Sequence, residues 1–220
     1  MKNLNQYIQE RLIINKNFNK KKQINITVTP KDHYELKDII EDRYKKLGPG
    51  TEQKPIDFND IDISNIDSFY NRNIDKGIFS HTDFKYIDIS DWDVSKVKST
   101  CAMFYLCEEL ESVGDLSGWD TSKVINMSYM FAFCKKFNQD LLKWDVSGVT
   151  DMEYMFIDCK SFNQNISDWD VSNVTDIRFM FFDCKSFNQD ISNWNVSKVM
   201  YRMGMFDGCS IKNEYKPKFK

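Results

Sequence analysis

Histidine is almost absent, with only His33 and His81 in 220 residues, and the six cysteines form no Cys-x-x-Cys pair. Zinc sites draw on closely set Cys and His donors, so the composition offers no zinc constellation, and no cofactor or metal is expected. Proline (four) and glycine (eight) are scarce as well, which excludes collagen-like and Pro/Gly-rich low-complexity chains. No apolar run approaches the ~20 residues of a membrane-spanning helix. The opening residues MKNLNQYIQERLIINKN interrupt every apolar run with Asn, Gln, Glu or Arg and so lack the apolar centre of a secretory signal. The expectation is a soluble chain without membrane insertion, cytoplasmic or virion-associated. An excess of one charge is missing too. With 30 basic against 33 acidic residues the net charge is −3, there is no basic field for a polyanion, and nucleic acid is not an expected partner. The basic run KNFNKKK near residue 20 reads as a solvated linker.

What the chain does have is 41% hydrophobic and 15% aromatic residues, enough for a sizeable core, and it spends them periodically. SFNQNISDWDVSNVTDIRFMFFDCK, residues 161–185, is followed at once by SFNQDISNWNVSKVMYRMGMFDGCS, with 13 of 25 positions identical. Taking tryptophan as the marker gives Trp92, Trp119, Trp144, Trp169 and Trp194, with Met-Phe and then Cys at fixed offsets in every unit, ending at Met205-Phe206 and Cys209. A degenerate unit, residues 61–82, precedes these, with Ile61 at the tryptophan position, Ser64 at the serine position, Ile78-Phe79 at Met-Phe, and an insertion around NRNIDKG. A fixed period of this size is the signature of units that bury their apolar faces only by stacking on one another.

The fold class expected is therefore an α/β repeat solenoid. FNQDIS alternates as a short strand does, and VTDMEYMFIDC places Val149, Met152, Met155-Phe156 and Cys159 at helical spacing, so each unit should carry one short strand and one short helical turn. The serines Ser147, Ser172 and Ser197, with the Asp or Asn between Trp and Val, read as turn residues. Cap elements come first. QINITVT (23–29) reads as a strand; Thr29-Pro30-Lys31-Asp32 supplies an N-cap at Thr29, a proline at the first helical position and an acidic residue in the first turn; Leu36, Ile39, Ile40, Tyr44 and Leu47 line one helix face before GPG. The division is then 1–22 leader helix and linker, 23–60 strand–helix cap, 61–210 repeats, 211–220 polar tail.

The unit MFxxCxxFNQDISxWDVSxVTDM resembles the repeats of the BspA-like leucine-rich-repeat surface proteins of bacteria, with Phe156, Phe181, Cys159 and Cys184 at the family's phenylalanine and cysteine positions. The resemblance implies a right-handed leucine-rich-repeat solenoid used for adhesion or protein binding and carries over no catalytic residue. The leader is similar to short leaders of proteins of large bacteriophages of gut bacteria.

Candidate sites follow from what varies inside the frame. Tyr105, Tyr129, Phe133, Tyr154, Phe179 and Phe182 occupy variable positions and form a candidate partner-binding stripe, the alternative being rings packed between turns on the convex side. In the leader, Leu4, Tyr7, Ile8 and Leu12 make an amphipathic face and a candidate docking element. Asp151 and Asp176 recur one unit apart, as calcium ligands or as turn-capping carboxylates. Five cysteines share one frame position, as buried free thiols or as a disulfide or metal ladder. A repeat presents like groups in rows, whereas catalysis needs unlike groups together. The reading is a non-enzymatic binding or scaffold module with a protein partner; the alternative is a structural component of a phage particle docked by its N-terminal helix.

Overall fold

Single residues, rather than long strands, carry the bonding from one repeat to the next. Parallel bridges join Ser68 to Ser99, Ser99 to Asn126, Asn126 to Asp151, Asp151 to Asp176 and Asp176 to Tyr201. The computed structural model describes residues 28–71 and 76–219. Regular elements among these are one helix, α1 (His33–Leu47), four two-residue strands, β1 (Ile56–Asp57), β2 (Tyr70–Asn71), β3 (Lys76–Gly77) and β4 (Ile87–Asp88), and two 3-10 turns, Leu116–Gly118 and Asn213–Tyr215. β1 pairs with β4 in parallel, and β2 with β3 antiparallel.

The segment expected as a helical turn is a succession of tight turns. Backbone N–H groups of Met127, Tyr129, Phe131 and Phe133 donate to the carbonyls of Asp151, Glu153, Met155 and Ile157 in the next unit, while those of Met130, Ala132 and Cys134 donate three residues back within their own. This alternation needs left-handed backbone at Tyr129 (φ 58°) and Phe133 (φ 64°), and again at Tyr154 and Asp158 (both φ 57°) and at Phe179 and Asp183. A right-handed helix has no place for such residues. The three-residue apolar spacing that reads as helix is produced here by repeated i to i−3 bonds.

FNQDIS is not a strand either, because side chains bridge its backbone to its neighbours. The amide N–H of Asn163 donates to Asn138 Oδ1 at 2.9 Å and Gln164 Nε2 donates to the Asn138 carbonyl at 2.9 Å; Asn188 and Gln189 repeat both bonds on Asn163. The turn residues act as expected: Asp145 Oδ1 accepts the Ser147 N–H at 3.0 Å, and Asp170 does the same for Ser172.

Inside the units the apolar frame stacks on itself. Phe79, Phe104, Phe131, Phe156 and Phe181 form one column with successive centroids 5.3, 5.4, 5.7 and 5.7 Å apart, all fully buried. Phe137, Phe162 and Phe187 form a second column beside it. The tryptophans lie at the margin, and each donates its indole N–H to a carbonyl of the preceding unit: Trp92 to Phe58, Trp119 to Ile89, Trp169 to Leu141, Trp194 to Ile166. Trp144 is the exception, its Nε1 buried without a partner. By frame its acceptor would be Leu116, which here opens a 3-10 turn.

At the first unit α1 covers the column, with Leu36 and Ile40 fully buried and Tyr44 edge-on to Phe84 at 4.8 Å. Its N-cap is Asp32 rather than Thr29, whose hydroxyl is turned to Asp62; Asp32 accepts the N–H of Tyr34 and of Glu35. Leu47, expected on the apolar face, is 62% exposed, because Gly48 at φ 76° ends the helix there. Of the strand expected over 23–29 the described part is Val28, bridged in parallel to Ile61, and Thr29. Residues 56–58, expected as cap, bond like a repeat: Phe58 lies where later units place Ile89, Leu141 and Ile166, and takes the indole of Trp92. Leu4, Tyr7, Ile8 and Leu12 lie outside the described residues.

Candidate aromatic contact site

All six variable aromatics fall on one connected surface. Tyr129 stacks on Tyr154 at 4.7 Å and Tyr154 on Phe179 at 4.9 Å, with rings within 20° of parallel. Tyr105 meets Tyr129 and Phe133 edge-on at 6.1 and 5.9 Å, and Phe182 meets Phe179 edge-on at 5.8 Å. Every one of them is half-buried, flanked by its neighbours and open on its outer side. His81, edge-on to Tyr105 at 5.3 Å, extends the row into the first unit. Burial pushes the Tyr129 phenol up, so it stays un-ionised in ordinary solution.

Tyr129, Tyr154, Phe179 and Phe133 stand at left-handed φ, a region that costs a bulky L-residue roughly 1–2 kcal/mol. The last unit avoids that cost with Gly204 (φ 65°) and Gly208 (φ 71°) at the same two offsets. A Cβ on Gly204 would sit 2.3 Å from the Phe179 ring, so the glycine also gives the end of the stack its seat. Two residues that sequence reasoning missed belong to the surface: Tyr70, and Ala102, which holds the frame position of Tyr129, Tyr154 and Phe179 at φ 53°. Aligning the units on Trp would have exposed the missing ring at Ala102.

The acidic residues beside the stripe have their own counter-charge. Ligand atoms of Asp151, Glu153 and Asp176 come within 4.8 Å of one another, and Arg178 lies among them, 3.0 Å from Glu153 and 2.6 Å from Asp176. Asp151 and Asp176 also cap turns, accepting the N–H of Glu153 and of Arg178. Burial raises the carboxyl of Asp151 and that of Glu153.

The thiols are bound in a row. Cys134, Cys159 and Cys184 donate to the carbonyls of Phe104, Phe131 and Phe156 at 2.9 to 3.1 Å. None of the six cysteines is in a disulfide; five are buried and Cys209 is half-buried. Desolvation raises the four enclosed frame thiols, Cys107 up to about 11. No helix among the described residues is long and apolar enough to cross a membrane.

Comparison with known proteins gives one finding. No curated protein and no solved structure matches the chain. The family described as "Mycoplasma protein of unknown function, DUF285" matches twice, over residues 53–114 and 111–219, which includes every unit from the insertion-bearing first to the last. That double match is consistent with a BspA-like repeat protein, and the chain belongs to this family.

Proposed function

We propose that the chain is a non-enzymatic protein-binding or scaffold module, built as a leucine-rich-repeat-type solenoid, whose contact surface is the aromatic stripe from Tyr105 to Phe182. The observation that carries this reading is the stripe's continuity. Stacked rings at 4.7 and 4.9 Å spacing present a flat, stiff apolar strip, and aromatic side chains give large contact area for little lost rotamer freedom. Four of the six hold left-handed backbone although the last unit has glycine at the equivalent positions. The turns need left-handed backbone at these offsets, in Asp158 and Asp183 as well, and it is the placing of rings there rather than glycine that makes the stripe continuous.

The polar side of the units offers a contrast. A cleft of 370 Å³ there is lined by Asn165, Ser167, Gln189, Asp190, Ser192 and Asn193, with no aromatic ring. The test places a photo-crosslinking amino acid at Tyr154, Phe179 or the exposed Asp168 in the full chain, expressed in its native host. Crosslinks to one discrete protein from positions 154 and 179, and none from 168, are expected. Equal yields at all three positions, or none at 154 and 179, would overturn the reading.

A further inference from the structure

The stack Tyr129, Tyr154, Phe179 has a definite step, and at its next position towards the first unit the ring is missing. Ala102 stands there, with its backbone in the same left-handed region (φ 53°, against 58° at Tyr129 and 57° at Tyr154). In place of the ring lies a cleft of 440 Å³ lined by Tyr70, Cys101, Ala102, Tyr105, Ser128 and Tyr129. Its floor is closed. Ala102 is 6% exposed, Ser128 5%, and the Ser128 hydroxyl is engaged by Asn126 Oδ1 at 2.7 Å and by Cys101 Sγ at 3.2 Å. Its sides are aromatic: Tyr129 carries a stacked ring on the Tyr154 side, while its other described ring neighbour, Tyr105, is edge-on.

We infer that this cleft receives an aromatic side chain of the protein partner, whose ring lies against Tyr129 and supplies the missing member of the stack. The size fits, since the gap corresponds to one frame position that in the next three units holds Tyr129, Tyr154 and Phe179. The chemistry fits as well. Aromatic pairs gain beyond their buried area when offset-stacked or edge-on, and Tyr129 and Tyr105 offer both approaches. An aliphatic side chain would fill the volume without that gain. Anchors of this kind, one ring in a closed-floored pocket ringed by weaker contacts, dominate interface energetics. The inference rests on the protein-binding reading of the stripe and adds to it the class of residue that the partner must present.

The test titrates the 15N-labelled full chain with N-acetyl-tyrosinamide and, as the aliphatic control, N-acetyl-leucinamide. Amide shifts confined to residues 101–105 and 128–129 are expected with the aromatic probe, and an affinity about two- to tenfold lower with the control. Ala102→Tyr should abolish the shifts, because its own ring fills the gap; Tyr129 and Tyr154 hold tyrosine at the same left-handed φ. Tyr129→Leu removes the stacking face and should weaken the aromatic probe to the level of the control, so it decides the matter if Ala102→Tyr does not fold. Shifts spread over the molecule, equal affinity for the two probes, or titrations unchanged in Tyr129→Leu would overturn the inference. Crosslinking from position 154 separates the two levels. If it persists at full yield in Ala102→Tyr, the cleft is not the anchor although the stripe stands; if it is absent in the unmodified cleft background, the stripe reading itself fails.

Discussion

Replacing Trp169 by phenylalanine should destabilise the protein more than the same change at Trp144, although both indoles are about equally buried, at 3% and 4% exposure. Each substitution removes the same volume, and the ring neighbours are comparable: Trp194 and Phe156 around Trp169 at 6.5 and 6.4 Å, Trp119 and Phe131 around Trp144 at 6.0 and 6.2 Å. The cavity cost therefore largely cancels in the difference. What remains is the indole N–H. Trp169 donates to the Leu141 carbonyl at 3.1 Å, a bond worth about 1 kcal/mol net. Trp144 Nε1 has no acceptor, so phenylalanine there removes a buried orphan donor whose desolvation costs about 1–3 kcal/mol. The two effects have the same sign in the comparison, which puts Trp169→Phe below Trp144→Phe by about 2 kcal/mol or more. For a domain of this size that is about 4–8 °C between the melting temperatures. Melts of the two variants by circular dichroism, with urea midpoints as a second measure, read the difference. Equal midpoints, or Trp144→Phe the less stable, would refute the reasoning about the unpaired indole.

The thiols should label in order: at pH 8 a thiol reagent reacts first with half-buried Cys209, while Cys107, Cys134, Cys159 and Cys184 react only on denaturation, because burial raises their pKa and shields them; mass spectrometry showing Cys159 modified as fast as Cys209 contradicts this. Acid should weaken the fold. Hydrogen bonds from Ser95, Ser122, Ser172 and Ser192 lower the carboxyls of Asp93, Asp120, Asp170 and Asp190, so their stabilisation is present above the unfolded Asp value near ~4 and is lost as pH falls through the depressed folded values. Asp151 and Glu153, raised by burial, act in the opposite sense. Asp183, held down to about 2 by Lys160 and Lys185, acts in the same sense as the four turn carboxylates, so urea midpoints should decline from about pH 5 downward, less steeply in Asp120→Asn; a flat or rising profile would contradict this. Gly77→Ala should abolish cooperative folding or cost more than about 4 kcal/mol, since its Cβ would lie 2.0 Å from the Ala102 carbonyl oxygen, whereas Gly118→Ala, whose Cβ meets nothing within 4 Å, should melt like the parent.

The frame was legible because packing dictates it. Phe156 and Phe181 must sit over each other, and Trp169 over Trp194, so their letters recur at 25 residues and the stacked rings can be located from the text alone. The backbone inside the frame was not legible. Tight turns that bond three residues back space apolar residues as a helix does, so Val149, Met152 and Met155 fit both, and nothing in the letters Tyr154 or Phe179 announces left-handed φ. The FNQ segment imitates a strand for a similar reason: buried Phe162 is followed by exposed Asn163, while the Asn163 and Gln164 bonds to Asn138 replace the ladder that a strand would use. Of the candidate aromatic surface, the six rings were found by their variability, but the cleft was not, because it is made by an alanine where a ring would fit.

The bonds just described reach no further than one unit. Met127 to Asp151, Met152 to Asp176 and Ile177 to Tyr201 each join neighbours, as do the Trp, Cys and Asn bonds. Mechanically, such an array is a row of links in series, each held by its own interface. Tension applied along the row would detach the units singly from an end, and each detached unit of 25 residues would release about 85 Å of extended chain, at ~3.4 Å per residue. A force trace with evenly spaced steps of that length, rather than one large rupture, is the mechanical form of the 25-residue period.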